Sequence, residues 1–248
     1  MNTRVFERTG RVAEILKEVM GAIPKGTHVY MIGGAARNAV HEALHKKALP
    51  QRDYDLLLMG DFEGFVKKLR TEHGFTYGKI RRKNQIVLRK KLVPKPQSVA
   101  DYVYLDIDRT DDTNVLRNLR EHAAFTINGF AIPLKKFLVP HILPHVIALP
   151  QSIADIKNKR LVLNLAGYQY HAGNLFAALR FMSLGFKPPR KSEIALLLQE
   201  LPKLEAWRFD RNVKKVFGYV GGEKHARALV KRLGITVDIF NQKKLRAL

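Results

Sequence analysis

Residues Arg52-Asp53-Tyr54-Asp55-Leu56-Leu57-Leu58-Met59 constrain the fold more than any other segment. From Tyr54 to Met59 the run is almost uniformly apolar. A strand of that kind belongs in the middle of a sheet that is covered on both sides. Two carboxylates nevertheless stand at its entrance. In a strand, residues i and i+2 point to the same face, so Asp53 and Asp55 lie parallel and repel one another unless a cation sits between them. Mg²⁺ takes oxygen ligands and commonly bridges carboxylates to substrate phosphates. A solvated turn entering a buried strand explains the same residues without chemistry, so the pair gains meaning from its surroundings.

Those surroundings alternate. Apolar residues at Val12, Ile15, Leu16, Val19 and Met20 have the spacing of an amphipathic helix over 12–23. His28–Ile32 reads as a short strand. Gly33-Gly34 follows, and 35–47 reads as a helix. Phe62–Glu72 is a helix stopped by Gly74, and Gln85–Arg89 and Tyr102–Asp108 are strands on either side of a Pro- and Lys-rich connection. Val115–His122 reads as a helix, 124–134 as mixed, and 153–162 as a turn with a short strand. From Ala166 the pattern is helical: Leu175, Leu179 and Met182 share a face, and helices are expected over 194–201, 213–220 and 224–233. The organisation is a strand-and-helix part, 1–150, followed by an all-helical part, 151–248.

Charge narrows the partners. The 44 basic and 22 acidic residues leave a net charge of +22. A protein this basic attracts polyanions, and RNA or DNA is the first expectation. The helical part is the more basic for its length. Cysteine is absent, which excludes a disulfide framework, a thiolate zinc site and a cysteine nucleophile. That composition fits a reducing compartment; the cytoplasm is expected, with the mitochondrial matrix as the alternative. No apolar run approaches the roughly 20 residues of a membrane helix, so no membrane partner is expected.

Three further patterns bear on chemistry. Gly33-Gly34 between a strand and a helix lets a phosphate approach the backbone, at a helix start whose N–H groups favour anions. Arg37, in the first turn, reaches toward the same phosphate. Taken alone, Gly-Gly before a helix is more often a simple turn. On 102–108, Val103, Leu105 and Ile107 face one side while Tyr104, Asp106 and Asp108 face the other. Asp106 is thereby able to complete a two-metal site with Asp53 and Asp55. His41-Glu42-Ala43-Leu44-His45 matches the zinc-protease pattern H-E-x-x-H, but no third ligand is obvious downstream beyond the candidates Glu63 and Glu72, and a solvated helix face is the simpler reading.

The order of these pieces resembles the nucleotidyltransferase head of the CCA-adding enzyme and bacterial poly(A) polymerase family, class II. Ile32-Gly33-Gly34-Ala35-Ala36-Arg37-Asn38 is similar to the family's Gly-Gly-x-x-Arg-Asp, and Asp53-Tyr54-Asp55 to its Asp-x-Asp. Phe125-Thr126-Ile127-Asn128 and Ala178-Leu179-Arg180-Phe181 extend the likeness through the neck. The resemblance implies an α+β fold: a polymerase-β-like head with a small mixed sheet, then a short helical neck that contacts RNA. It implies template-independent, Mg²⁺-dependent transfer of a nucleoside monophosphate from an NTP (ATP, CTP or both) to an RNA 3′ end, with tRNA the expected substrate. Asp53, Asp55 and Asp106 would hold the metal. Gly33, Gly34 and Arg37 would hold the triphosphate, and Asn128 would support the sugar or the site geometry.

The departures are equally specific. Asn38 replaces the family Asp. His122-Ala123-Ala124 stands where the family has Arg-Arg-Asp. The base-reading Glu-Asp-x-x-Arg falls on Tyr170-His171-Ala172-Gly173-Asn174, leaving His171 and Asn174 as nucleotide contacts that can both donate and accept. The family's further helical body and tail are expected to be missing, so RNA contact is expected from the basic run 79–91, chiefly Arg81, Arg82, Lys83, Arg89, Lys90 and Lys91. A different class stays open: an RNA- or ribosome-associated protein on a catalytically retired scaffold.

Overall fold

The computed structural model describes residues 10–51, 53–82, 84–166 and 173–246, with the backbone alone over 79–82. In chain order the elements are α1 (Gly10–Gly21), β1 (His28–Ile32), α2 (Gly33–His45), β2 (Asp53–Met59), α3 (Phe62–Thr71), β3 (Thr76–Arg82), β4 (Gln85–Lys91), β5 (Tyr102–Arg109) and α4 (Val115–His122). They continue with β6 (Phe130–Pro133), β7 (Ile147–Ala148), α5 (Ser152–Lys157), α6 (Asn174–Ser183), α7 (Lys191–Glu200), α8 (Ala206–Val220), α9 (Glu223–Arg232) and α10 (Gln242–Arg246). The chain forms two compact units, Asn2–Leu119 with Asn128–Ser152, and Arg120–Ile127 with Ile153–Leu248.

The first unit is built on a seven-stranded sheet in the order β3-β4-β5-β2-β1-β6-β7. β2 is its middle strand, as the apolar run requires. It pairs with β5 in parallel and with β1 antiparallel, and the remaining pairs are antiparallel. The sheet is therefore mixed, within an α+β fold. One face is closed: Met31, Leu56, Leu58, Leu105, Ile107 and Leu88 are all fully buried. The opposite face, carrying the odd-numbered residues of β2, is half open. Ile15, Leu16 and Val19 of α1 are fully buried, in line with the helical spacing. Asp61 starts α3 by accepting the Gly64 N–H at 2.8 Å, an N-cap of the usual kind.

The second unit packs helix on helix through aromatic rings. Phe125 meets Phe181 edge-on at 5.8 Å, and Phe176 meets Phe209 likewise at 5.7 Å. Buried Asp155 ties the irregular segments together: it accepts from the Thr126 hydroxyl at 2.7 Å and from the Arg160 guanidinium at 3.0 and 2.8 Å. α8 ends at Gly221 in the left-handed region, φ +86°, where glycine carries no Cβ penalty.

Several elements differ from the sequence reading, among them β7 (Ile147–Ala148), which was not expected. β3 was not expected. Its register against β4 shifts twice, between Tyr77 and Lys79 and between Ile80 and Arg82, and such bulges break the two-residue alternation that reveals a strand. Residues 152–157 form a helix where a turn and strand were expected. α8 begins at Ala206 rather than near 213, and α10 was not anticipated.

Because Leu56 is fully buried on the central strand, Leu56→Ala should destabilise the first unit by about 2–5 kcal/mol. Exposed Lys91→Ala should change stability by less than about 0.5 kcal/mol. Urea unfolding followed by circular dichroism measures both.

Candidate active site

Register assembles the acidic residues. On β2 and β5, Asp55 lies beside Asp106, Asp53 beside Tyr104, and Leu57 beside Asp108. On the other side Asp55 lies opposite Ile32, the last residue of β1. Asp53, Asp55, Asp106 and Asp108 thus share the half-open face. Asp106 is buried and accepts from Gln85 Nε2 at 3.3 Å. Burial, reinforced by Asp106, Asp53 and Asp108, pushes the Asp55 carboxyl up to about 7, against the pull of a hydrogen bond from the Gly34 backbone N–H.

The glycine turn belongs to this cluster. α2 begins at Gly33 itself, two residues earlier than the sequence suggested. Gly33 has φ +62°, and a Cβ there would fall 2.5 Å from Asp55 Oδ2. Glycine is needed twice over, for the backbone angle and for the space. The close approach anticipated for a phosphate is made in this structure by a carboxylate.

A second network fixes the entrance of β2. Arg37 is buried. It donates to Asn38 Oδ1 from Nε at 3.1 Å and from Nη2 at 2.9 Å, and from Nη1 to Asn128 Oδ1 at 2.8 Å. Asn38 Nδ2 donates onward to Gln51 Oε1 at 2.7 Å and to the Pro50 carbonyl at 3.0 Å. Gln51 Nε2 in turn donates to the Asp53 carbonyl. An ionised aspartate at position 38 could receive Arg37 but could not donate to Gln51. Asn38, met in the sequence as a departure, is therefore the link from Arg37 to Asp53. Gln51 was missed, since only its nearness to Asp53 marks it.

The other expected residues are spread more widely. Arg89 places its guanidinium 5.0 Å from the Tyr102 ring centre, on the face that carries Tyr104 and Asp53. Lys90 turns to the opposite face, pairs with Glu18 and lies 5.5 Å from the Phe75 ring. Lys91 is exposed. Lys83 and His171 lie outside the described residues, as do the side chains of Arg81 and Arg82. Asn174 opens α6 in the second unit; it is buried, and its Nδ2 makes no hydrogen bond among the described residues.

The H-E-x-x-H pattern has a structural use. It lies in α2, where buried His41 donates from Nδ1 to the Lys47 carbonyl at 2.9 Å and its ring lies 4.4 Å from that of His45. Among the described residues no three His, Asp or Glu side chains form a metal-holding group, so the pattern gains no third ligand there. The same holds of the carboxylate cluster as it stands. What fits a cation in that cluster is its charge: Asp55 is held beside three other acids that a divalent ion would neutralise.

The raised Asp55 carboxyl sets a pH dependence. Through the interval between about 4 and about 7 the native protein keeps a proton that the unfolded chain releases. The stability associated with that proton is complete below the interval and is lost as pH rises through about 7. In protein freed of divalent ions, Asp55→Asn should raise the melting temperature more at about pH 8 than at about pH 5; the reverse order would contradict the assignment. Gly33→Ala should cost about 1–3 kcal/mol, read from the same melts.

No protein-family model matches the sequence, and no curated relative is found. Solved structures do match. A CCA-adding enzyme in complex with CTP aligns with 96% of this chain and 52% of its own at a TM-score of 0.64 and 16% identity. The Thermotoga maritima CCA-adding enzyme complexed with tRNA(CCA) aligns over 92% of this chain and 52% of its own, at 0.62 and 15%. A tRNA nucleotidyltransferase complexed with a primer tRNA and an incoming ATP analogue aligns over 89% and 59%, at 0.55 and 20%. The chain spans between half and three-fifths of the length of these neighbours. Through its mixed sheet and the helices that follow, it has the fold of the head and neck of the CCA-adding enzymes.

Proposed function

We propose that the protein is an RNA nucleotidyltransferase that moves a nucleoside monophosphate from an NTP to an RNA 3′ end. The observation that carries this reading is the cluster of Asp53, Asp55 and Asp106 around the Gly33-Gly34 turn. The fold likeness supports it, and so do the neighbours, which were captured with CTP, an ATP analogue and tRNA. tRNA is the RNA favoured, and ATP and CTP the nucleotides.

In the reaction, the 3′-hydroxyl gives up its proton to solvent, its oxygen forms a bond to the α-phosphorus, and the bond from that phosphorus to the bridging oxygen breaks, so that pyrophosphate leaves. Asp53, Asp55 and Asp106 would hold Mg²⁺, which supplies the positive charge that offsets their repulsion and the charge developing on the phosphates. Asp106 orients the attacking hydroxyl, with Gln85 fixing its carboxylate. The N-terminus of α2 at Gly33-Gly34 faces the phosphates. Arg37 acts through Asn38 and Asn128, keeping the strand entrance rigid. Catalysis on this plan is a matter of position and electrostatics.

A second reading has its own support. Arg37 engages Asn38 and Asn128, the Gly34 N–H engages Asp55, and His122-Ala123-Ala124 and the segment around Asn174 depart from the family pattern. These features suit an RNA- or ribosome-binding protein on a scaffold that no longer transfers nucleotides.

Incubating the protein with tRNA, Mg²⁺ and each labelled NTP in turn separates the two. Transfer is expected, with Asp53→Ala and Asp55→Ala each lowering the rate at least ~10²-fold; incorporation unchanged in both variants, or none in the wild type, rejects the enzyme reading. Because His171 and Asn174 stand in the sequence where the family has its base-reading residues, at least two NTPs should be incorporated at similar rates, since neutral groups that donate and accept leave few partners unpaired with the wrong base. Strict ordered addition of C, C and A would refute that expectation.

A further inference from the structure

We infer that the outer face of α8 is a docking surface for single-stranded RNA, with Trp207 as its stacking anchor. The inference rests on the RNA part of the proposed function but not on transferase activity. Trp207 is the protein's single tryptophan and is 57% exposed. A ring that size is usually buried for the area it removes from water. Here the core-facing side of α8 is supplied by Phe209 and Val216, both buried, and Phe209 packs on Phe176. Trp207 stands on the other side and takes no part in that packing.

Helical spacing sets its companions. Arg211, Lys214 and Gly218 follow Trp207 at intervals of four, three and four residues, which is one continuous stripe. Arg211 and Lys214 are exposed, and Lys215 flanks them. Gly218 opens onto empty space, with nothing within 4 Å of where a Cβ would be, so a sugar or base can lie against the helix there. Two acids adjoin the stripe. Glu205 pairs with Arg208 at 2.9 Å, whose guanidinium lies 5.2 Å from the Trp207 ring centre, and Asp210 stands at the margin. From Ala206 to the C-terminus there are eleven basic residues and three acidic ones. Cations in a row with an exposed aromatic ring are the two ingredients of sequence-tolerant single-strand binding: phosphates are held electrostatically and a base stacks on the ring. A membrane surface fits less well, because a helix lying in the interface needs a broad free apolar face, and that of α8 is used inside the unit.

Since Trp207 is the sole tryptophan, its fluorescence reports on this surface alone. Titration of the full chain with a short oligouridylate should quench it, and binding should weaken steeply with salt. Trp207→Ala should weaken binding, followed by anisotropy of labelled RNA, at least ~5-fold, with Trp207→Phe intermediate. The triple change Arg211→Ala/Lys214→Ala/Lys215→Ala should reduce the logarithmic salt slope by about 2. Melting curves close to wild type confirm that the variants fold. RNA binding with no fluorescence response and no change in the variants would overturn the inference. So would a response to phosphatidylserine vesicles but not to RNA, or one produced by raising the protein concentration alone, which would indicate a second copy on this face. Nucleotide transfer by a protein whose Trp207 ignores RNA would leave the proposed function standing and this surface rejected.

Discussion

Asp55 sits half inside the protein beside three other carboxylates, and much of the first unit is arranged around that placement. Its neighbour across the parallel pair is Asp106. Its other neighbour is the turn at Gly33-Gly34, which approaches so closely that a single methyl group would collide with the carboxylate. A folded protein tolerates such a cluster only by keeping a proton on it, by donating hydrogen bonds to it or by neutralising it with a cation. The first two are present here: the carboxyl is raised to about 7, and the Gly34 N–H points at it. The third is what the proposed chemistry would use.

The network behind the cluster serves the same end. The route from Asn128 through Arg37, Asn38 and Gln51 to the Asp53 backbone joins α2, the loop before β2 and the start of the β6 segment. Each member is both held and holding, and buried polar groups are stable only when so satisfied. Asn38 matters because it has an acceptor and a donor on one side chain. The residue that weakens the likeness to a known motif is thereby part of what stiffens the site, and it bears on both functional readings.

The two functional surfaces proposed differ in physical kind. The first is a cluster of negative charge on the half-open face around the central strand. The second is a row of positive charge on an exposed helix with one aromatic ring. Polyanions need the positive charge for affinity, and the acidic cluster repels them unless a cation intervenes. A protein with a net charge of +22 that keeps four acids together in its sheet has separated these tasks along its chain.

Much was legible in the sequence because it depended on local pattern. The run from Tyr54 to Met59 announced a central strand, and the structure makes it the middle strand of seven. Spacing by two placed Asp53 with Asp55, and Asp106 with Asp108. Only the tertiary structure could decide register between strands far apart in sequence. It set Asp106 beside Asp55, opened the Gly33 turn to that carboxylate and brought Asn128 to Arg37. It also turned Lys90 inward to Glu18 while Arg89 stayed on the acidic face, and bulges hid β3 by breaking its alternation. Trp207 carries no sequence pattern that marks it, and packing alone leaves its ring outside. Periodicity belongs to the chain itself, whereas register and exposure belong to contacts that exist only after the chain has closed on itself.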